Sequence, residues 1–476
     1  MTGSGPPLAV FLQDPDLIAG AYVVAFVFFI LGMRGLSHPG TARRGNAIAA
    51  AGMALAVGAT LLQREVGDYW LIALGVAIGT AVGVPAARSV KMTAMPQMVA
   101  LFNGVGGGAV ALIAWAEFRR LGGSAELELM IPLLFSAIVG SVSFWGSGIA
   151  FGKLQGIVSG RPVKVPGQQA LNAALLATAV ACAAAITAGS ESEGLFIAIL
   201  LSAALLGNLV VLPIGGADMP VVISLLNALT GLSAAAAGMT LDNTALIVAG
   251  MLVGASGSIL TNLMAKAMNR SIPAIVAGGF GGGAATAGSG SGASSGPAHP
   301  AVRSTTAADA AIQLAYARLV VIVPGYGMAV AQAQHAVREL ADELGKRGVE
   351  VKFAIHPVAG RMPGHMNVLL AEADVPYEQL EEMDEINPEF SRTDVALVIG
   401  ANDVTNPAAR NTPESPIYGM PILEVDRSAS VIVVKRSMNP GFAGIENELY
   451  YDPKTAMLFG DAKAAAMEVA AEVRGL

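Results

Sequence analysis

Charge is what this 476-residue chain has least of. Lys, Arg, Asp and Glu make up only 13% of it, about half the share of a soluble globular protein. Hydrophobic residues make up 54% and the mean hydropathy is +0.60, so much of this apolar surface must face lipid. A single cysteine, Cys182, excludes a disulfide framework and a cysteine metal cluster. No residue is assigned to a metal. No Lys or Arg precedes the first apolar run, so a basic leader of the cleaved kind is missing. The five histidines, His38, His299, His335, His356 and His365, all fall outside the long apolar runs. No Asp or Glu sits in the middle of a run; Glu117 and Asp218 lie at ends.

Nine runs approach the roughly 20 residues that a spanning helix needs. They cover about 17–36, 45–63, 69–87, 97–117, 130–151, 168–188, 193–213, 220–238 and 243–264. The Gly-rich fourth and eighth are the weakest, and a re-entrant segment is the alternative for one of them. Alternate connections carry ten cations: Arg34, Arg43, Arg44, Arg88, Lys91, Lys153, Arg161, Lys164, Lys266 and Arg270. The opposite side has three, Arg64, Arg119 and Arg120, among Glu65, Asp68, Glu191, Glu193 and Asp242. That bias places the first set in the cytoplasm and the N-terminus outside. Nine crossings then put the C-terminal half inside.

The spans are rich in Gly and Ala, which lets helices approach closely. Their polar groups are neutral: Asn103, Asn172, Asn208, Asn227, Thr230, Ser256, Ser258 and Asn262. Each serves either as helix–helix glue or as part of a water-lined path. Asn103 and Asn227 sit beside glycines that leave room for water and are the better path candidates.

Residues 271–310 contain the run Gly278-Gly279-Phe280-Gly281-Gly282-Gly283 and a Gly/Ser repeat at 288–292. Such a tract reads as a flexible linker. From about residue 311 the pattern becomes alternating strands and helices. Strands are expected at Leu319–Val323, Val349–Ile355, Val395–Ile399, Ile422–Val425, Val431–Val434 and Met457–Phe459. One helix is expected from the first strand's turn to about Leu344, and a closing helix from Asp461. This is a doubly wound parallel α/β sheet, Rossmann-like. The half from 271 onward carries 15 Lys/Arg against 24 Asp/Glu; an acidic domain speaks against nucleic acid.

Gly325-Tyr326-Gly327-Met328-Ala329-Val330 follows the first strand and opens a helix. It fits the dinucleotide fingerprint, in which glycines permit a tight turn and close approach to a pyrophosphate. A tight turn without a ligand is the ordinary alternative. The second strand ends Ala354-Ile355-His356-Pro357, without the acid that would hold an NAD ribose. Lys435-Arg436-Ser437 instead follows a later strand, where two cations and a hydroxyl suit a 2′-phosphate; a solvated strand end is the alternative. Two Gly/Asn-rich loops also follow strands, at 360–365 and 400–403. An NADP-binding domain tethered to a membrane bundle is the reading from residues alone. Its rivals are a transporter or channel whose nucleotide domain only senses, and a non-catalytic scaffold.

Several motifs in order resemble the proton-translocating NAD(P) transhydrogenase family, beta subunit. They are the stretch Pro324 to Gln334, the stretch His356 to Asn367, Gly400-Ala401-Asn402-Asp403, Lys435-Arg436-Ser437-Met438 and Gly460-Asp461-Ala462-Lys463. Gly215 to Pro220 and Ala267 to Ser271 add to the set in the membrane half. The resemblance implies hydride transfer from NADH to NADP⁺ coupled to inward proton movement. It implies NADP(H) on this chain, NAD(H) on a separate alpha subunit, a dimer of alpha–beta units, and the bilayer of a bacterial inner membrane. Carried over by position, the cofactor residues would be Gly325, Tyr326, Gly327, Met328, Ala329, Val330, Val358, Gly360, Arg361, Pro363, Gly400, Asn402, Asp403, Lys435, Arg436, Ser437, Gly441, Phe442, Gly460, Asp461 and Ala462. Asn103, Asn227, Asp218 and Ser256 would serve the proton path and its coupling. Two departures stand out. Many relatives carry His where Asn103 stands, and Asn cannot exchange a proton near neutral pH. Many carry Tyr where Phe442 stands.

Overall fold

The computed structural model describes residues 13–63, 66–90, 94–121, 126–160, 162–163, 165–215, 218–268, 271–273, 302–361, 364–415, 417–441 and 444–476. Pro363 and Phe442, and residues 274–301 of the expected linker, lie outside them. The chain divides into two units, one centred on the apolar helices and one on the C-terminal sheet.

The membrane unit contains nine long helices among the described residues: α1 (Pro15–Leu36), α2 (Pro39–Leu61), α3 (Tyr69–Ser89), α4 (Met95–Leu121), α5 (Leu127–Gln155), α6 (Gln168–Thr187), α7 (Glu193–Val211), α8 (Met219–Thr240) and α9 (Thr244–Ala267). Eight are long and apolar enough to cross a bilayer. The exception is α2, whose first turns carry Arg43 and Arg44. Its apolar part, from Gly45 on, rises about 26 Å, at the short end of the range for a helix that crosses a bilayer. It packs along α1 as a hairpin.

Small residues set these contacts. A Cβ on Gly140 of α5 would lie 2.7 Å from the Gly107 carbonyl oxygen of α4. One on Gly250 of α9 would lie 2.4 Å from the Ala235 nitrogen of α8. At such distances any side chain would force the helices apart, so glycine sets the packing distance in these pairs. In contrast, α3 buries none of its residues within this chain.

In the C-terminal unit the sheet is preceded by α10 (Ala307–Ala315), capped by Thr306, whose hydroxyl accepts from the Asp309 amide at 3.2 Å. The start of this helix, and the bridge between Ser304 and Met457, fall within the tract that composition assigned to the linker. Six strands follow: β1 (Leu319–Pro324), β2 (Glu350–Ile355), β3 (Leu380–Glu382), β4 (Val395–Ile399), β5 (Ser430–Lys435) and β6 (Thr455–Phe459). All pair in parallel, in the order β3-β2-β1-β4-β5-β6. Every residue of β1 and β4 is buried, as expected for central strands covered on both faces. The connecting helices are α11 (Tyr326–Val330), α12 (Gln334–Lys346), α13 (His365–Glu372), α14 (Met383–Ile386), α15 (Ala408–Asn411) and α16 (Ala462–Gly475). Both α10 and α12 pack on α16.

Three local expectations are corrected. The helix after β1 is two helices, because Gln332 takes a positive φ of 51° and ends α11 after five residues. The apolar run Ile422–Val425 is no strand. Side chains satisfy its backbone instead: Asn387 Nδ2 donates to the Ile422 oxygen (3.0 Å) and Asn387 Oδ1 accepts from the Glu424 amide (3.1 Å). Leu423 and Val425 are fully buried in the sheet's core, which is why the run reads as a strand. The edge strand β3 replaces it in the sheet, and its polar Leu380-Glu381-Glu382 gives no such signal.

Candidate functional site

The sheet order reverses between β1 and β4. In an open α/β sheet the ligand crevice lies at that switch point, outside the carboxyl ends of the strands. Register places several of the expected residues along this edge. Pro324 pairs with Ile399, Ile399 with Val434, and Lys435 with Phe459. Gly325, Gly400, Lys435–Arg436 and Gly460 therefore emerge side by side.

The loops after β1 and β4 cross backbone to backbone. The Gly325 amide donates to the Ile399 oxygen and the Gly327 amide to the Gly400 oxygen, both at 2.9 Å. A Cβ on Gly325 would lie 2.3 Å from Ala401 Cα, and one on Gly327 would lie 2.7 Å from Gly400 Cα. Gly400 has φ +69°, and its Cβ would meet the Met328 nitrogen at 2.4 Å. Fingerprint glycines are expected to admit a ligand; in this chain they first admit a neighbouring loop. Gly325 itself has an ordinary φ of −129°. The side chains of Met328 and Ala329 are fully buried, while Tyr326 is half-buried and Val330 is exposed.

A second loop brings Tyr326, Gly360, Arg361 and His365 together. The Arg361 amide donates to His365 Nδ1 at 2.9 Å. Gly360, at φ +112°, leaves room for that imidazole, since a Cβ would lie 2.5 Å from Nδ1. The Arg361 guanidinium stacks over the Tyr326 ring at 4.6 Å. Burial, reinforced by the Arg361 charge, pushes the His365 pKa down to about 4. Burial also raises the Tyr326 hydroxyl, with Arg361 opposing. Val358 is half-buried, and its amide donates to His356 Nδ1 at 3.3 Å. His356 Nε2 donates to the Pro421 oxygen at 2.9 Å. Burial lowers the pKa of His356 to about 4 as well, so both rings are neutral at pH 7.

A third cluster surrounds Asn402 and Asp403. The Tyr450 hydroxyl donates to Asn402 Oδ1 (2.8 Å) and Asn447 Nδ2 donates to the Asn402 carbonyl (2.9 Å). Gly441 abuts both residues: a Cβ there would lie 2.6 Å from Asp403 Oδ1 and 2.7 Å from Asn402 Nδ2. Lys435 Nζ donates to the Asn439 oxygen (2.6 Å) and sits 4.7 Å over the Tyr450 ring. Burial lowers the Lys435 pKa, opposed by the Asp403 charge. Arg436 and Ser437 are exposed. Arg436 makes no hydrogen bond or ion pair among the described residues, so its guanidinium is available to a ligand. Asn439, Asn447 and Tyr450 lie outside the expected site residues, and no local pattern in the sequence marks them. Gly460 donates to the Lys435 oxygen at 3.1 Å. Asp461 caps α16, accepting from the Lys463 and Ala464 amides, and Ala462 is buried beneath it.

Arg361, Lys435 and Arg436 thus give the crevice three cations against Asp403, a donor set suited to phosphates.

In the membrane unit, Asn103 is buried between α4 and α5. Its Nδ2 donates to Ser147 Oγ (2.9 Å) and Ser143 Oγ (3.3 Å). Asn227 and Ser256 instead lie on the outer surface of this chain's bundle; Thr230 and Ser233 occupy the inward face of α8. The structure does not bring Asn103 and Asn227 together. Asp218 stands at the entry to α8, half-buried.

The family model for the NAD(P) transhydrogenase beta subunit matches residues 18–472. The chain is similar to NAD(P) transhydrogenase subunit beta of Rhodospirillum rubrum: 51% identical over 463 residues, covering 95% of this chain and 98% of the relative. A second relative of the same name, from a particular strain of that organism, matches equally. With that similarity running through both the apolar helices and the parallel sheet, the chain belongs to the NAD(P) transhydrogenase beta subunit family, an oxidoreductase family.

Proposed function

We propose that this chain binds NADP(H) in the crevice between β1 and β4 and acts with a partner alpha subunit that carries NAD(H). Bound NADP⁺ supplies the hydride-accepting chemistry, and no side chain of this chain is asked for acid–base work on the nicotinamide. What the chain contributes is binding, orientation and coupling. Lys435, Arg436 and Ser437 hold the 2′-phosphate. Arg361 and the crossing loops of Gly325, Gly327 and Gly400 hold the diphosphate. Asn402, Asp403 and Gly441 position the remainder.

Proton movement into the cytoplasm biases the domain between an exchanging and an occluded state. Asn103, Asn227, Ser256 and Asp218 serve that path and its coupling. Asn227 and Ser256 face outward at mid-span, where a polar group in lipid is costly. Helices of the alpha subunit covering that face would remove the cost. The setting is a bacterial inner membrane, with the N-terminus outside, the sheet domain in the cytoplasm and two alpha–beta units per complex.

The observation that carries this reading is the uncommitted Arg436 guanidinium beside Lys435 at the end of β5. The test is NADPH and NADH binding to the full chain, with Lys435→Ala/Arg436→Ala alongside. A preference for NADPH that the double variant loses supports the reading. Equal binding of both nucleotides by the unaltered chain contradicts it.

A further inference from the structure

Glu117 is the one buried carboxylate among the described residues, at 7% exposure. It lies one turn from the end of α4. Arg120 holds both of its oxygens, Nε to Oε2 at 2.9 Å and Nη2 to Oε1 at 2.5 Å. The Arg120 side chain is 70% exposed, so the pair reaches from water into the bundle. Removing a carboxylate from water is costly, and such groups within helical bundles mark ion and proton pathways more often than they add stability.

Glu117 lines a narrow cleft among α4, α5 and α8 with Ser136 and Thr240. A seam of polar side chains continues from there. Ser136 Oγ donates to the Ser233 oxygen (3.1 Å), and Ser233 Oγ donates to the Thr230 oxygen (2.8 Å). The Thr230 and Ser143 hydroxyls are 2.5 Å apart, and Ser143 accepts from Asn103. At the far end, Asn103 Oδ1 is buried without a partner among the described residues. The seam therefore runs from an ionisable group at one end of the bundle to Asn103, which cannot ionise. Among the described residues, the other charged groups at the Glu117 end are exposed: Arg119 pairs with Glu193 at 3.5 Å, and Asp68, Glu126, Glu128, Glu191 and Asp242 face outward.

We propose that Glu117 is the proton-exchanging group at the mouth of this seam. This rests on the reading above that protons cross the bundle. A proton from water bonds to a Glu117 oxygen as the ion pair with Arg120 opens. The cleft beside Ser136 is closed to water in this packing, so the same O–H bond breaks when the helices part and the proton passes to the water admitted there; the carboxylate then returns to Arg120. Nothing is consumed. Arg120 is a positioning residue that holds both carboxylate oxygens.

The test uses the full chain with its alpha subunit in liposomes, reading proton uptake and coupled turnover against pH. Glu117→Gln should lower both by about 100-fold, the lower end of what a positioned acid–base group contributes. NADPH binding should be unchanged, and Glu117→Asp should restore most of the rate. Arg120→Gln keeps the carboxyl but removes the cation that holds it, so the pH profile of pumping should shift. Should Glu117→Gln fail to assemble, that shift alone decides. Wild-type pumping by Glu117→Gln, or an unchanged pH profile in Arg120→Gln, overturns the proposal while leaving proton coupling intact. Absence of proton uptake in the unaltered complex overturns the larger reading and this one together.

Discussion

Arg436→Ala and Lys435→Ala should have different effects, although the two residues are neighbours with the same charge. Arg436 is exposed and makes no bond within the described structure, so its loss removes only what it gives to a ligand. A hydrogen bond to a charged group contributes about 1.5–3 kcal/mol, and each 1.4 kcal/mol is tenfold in affinity. NADPH affinity should fall roughly 10- to 100-fold with Arg436→Ala. NADH affinity and thermal stability should stay put. Lys435 also ties the Asn439 carbonyl and lies over the Tyr450 ring. A partly desolvated cation–π contact adds about 0.5–2 kcal/mol. Lys435→Ala should therefore weaken NADPH and also lower the melting temperature of the sheet domain by about 2–8 °C. Titration calorimetry and scanning calorimetry on the purified full chain would separate the two. Equal loss of NADH affinity in Arg436→Ala, or unchanged stability in Lys435→Ala, would refute the reasoning.

Three other outcomes follow from the same geometry. His356 and His365 are buried and neutral, with folded pKa values near 4 against an ordinary 6.5. The unfolded chain binds the extra protons, so the domain should lose stability as pH falls from 6.5 towards 4; His356→Gln should flatten part of that slope in a thermal-melt series. Gly400→Ala places a methyl 2.4 Å from the Met328 nitrogen in a left-handed conformation. It should destabilise the domain by about 2–4 kcal/mol and abolish NADPH binding, measured by denaturant titration and calorimetry. Asn227→Ala removes an outward-facing amide that holds nothing among the described residues, so expression and NADPH binding should be unchanged while coupled turnover drops; wild-type proton pumping in that variant would remove Asn227 from the path.

The sequence made legible what depends on period and on glycine. The spans at 69–87, 168–188 and 193–213 sit within a few residues of α3, α6 and α7, because unbroken apolar length admits few alternatives. The carboxyl-edge loops were legible as loops because Gly, Asn, Lys and Arg directly after apolar strands end the apolar run. What escaped depends on tertiary partners. Asn387 supplies the hydrogen bonds that turn Ile422–Val425 from a strand into a core-lining loop, and it lies 35 residues away. Gln332 breaks the helix after β1 without any Gly or Pro to announce it. Glu117 reads as an ordinary end-of-span residue, and only the packing of α5 and α8 shows it buried. Asn227 and Asn103 look equivalent in sequence, yet one faces out and the other in, a distinction of helix rotation that composition does not carry.

The central claim is hydride exchange coupled to proton movement. Its most direct measurement is transfer of deuterium from NADH carrying two deuteriums at C4 to NADP⁺ by the full chain with its alpha subunit in liposomes, with and without an imposed proton gradient. The account predicts label in NADPH, none exchanged with water, and a rate that rises when the gradient drives protons towards the side bearing the sheet domain. Unlabelled NADPH, or a rate indifferent to the gradient, would contradict it.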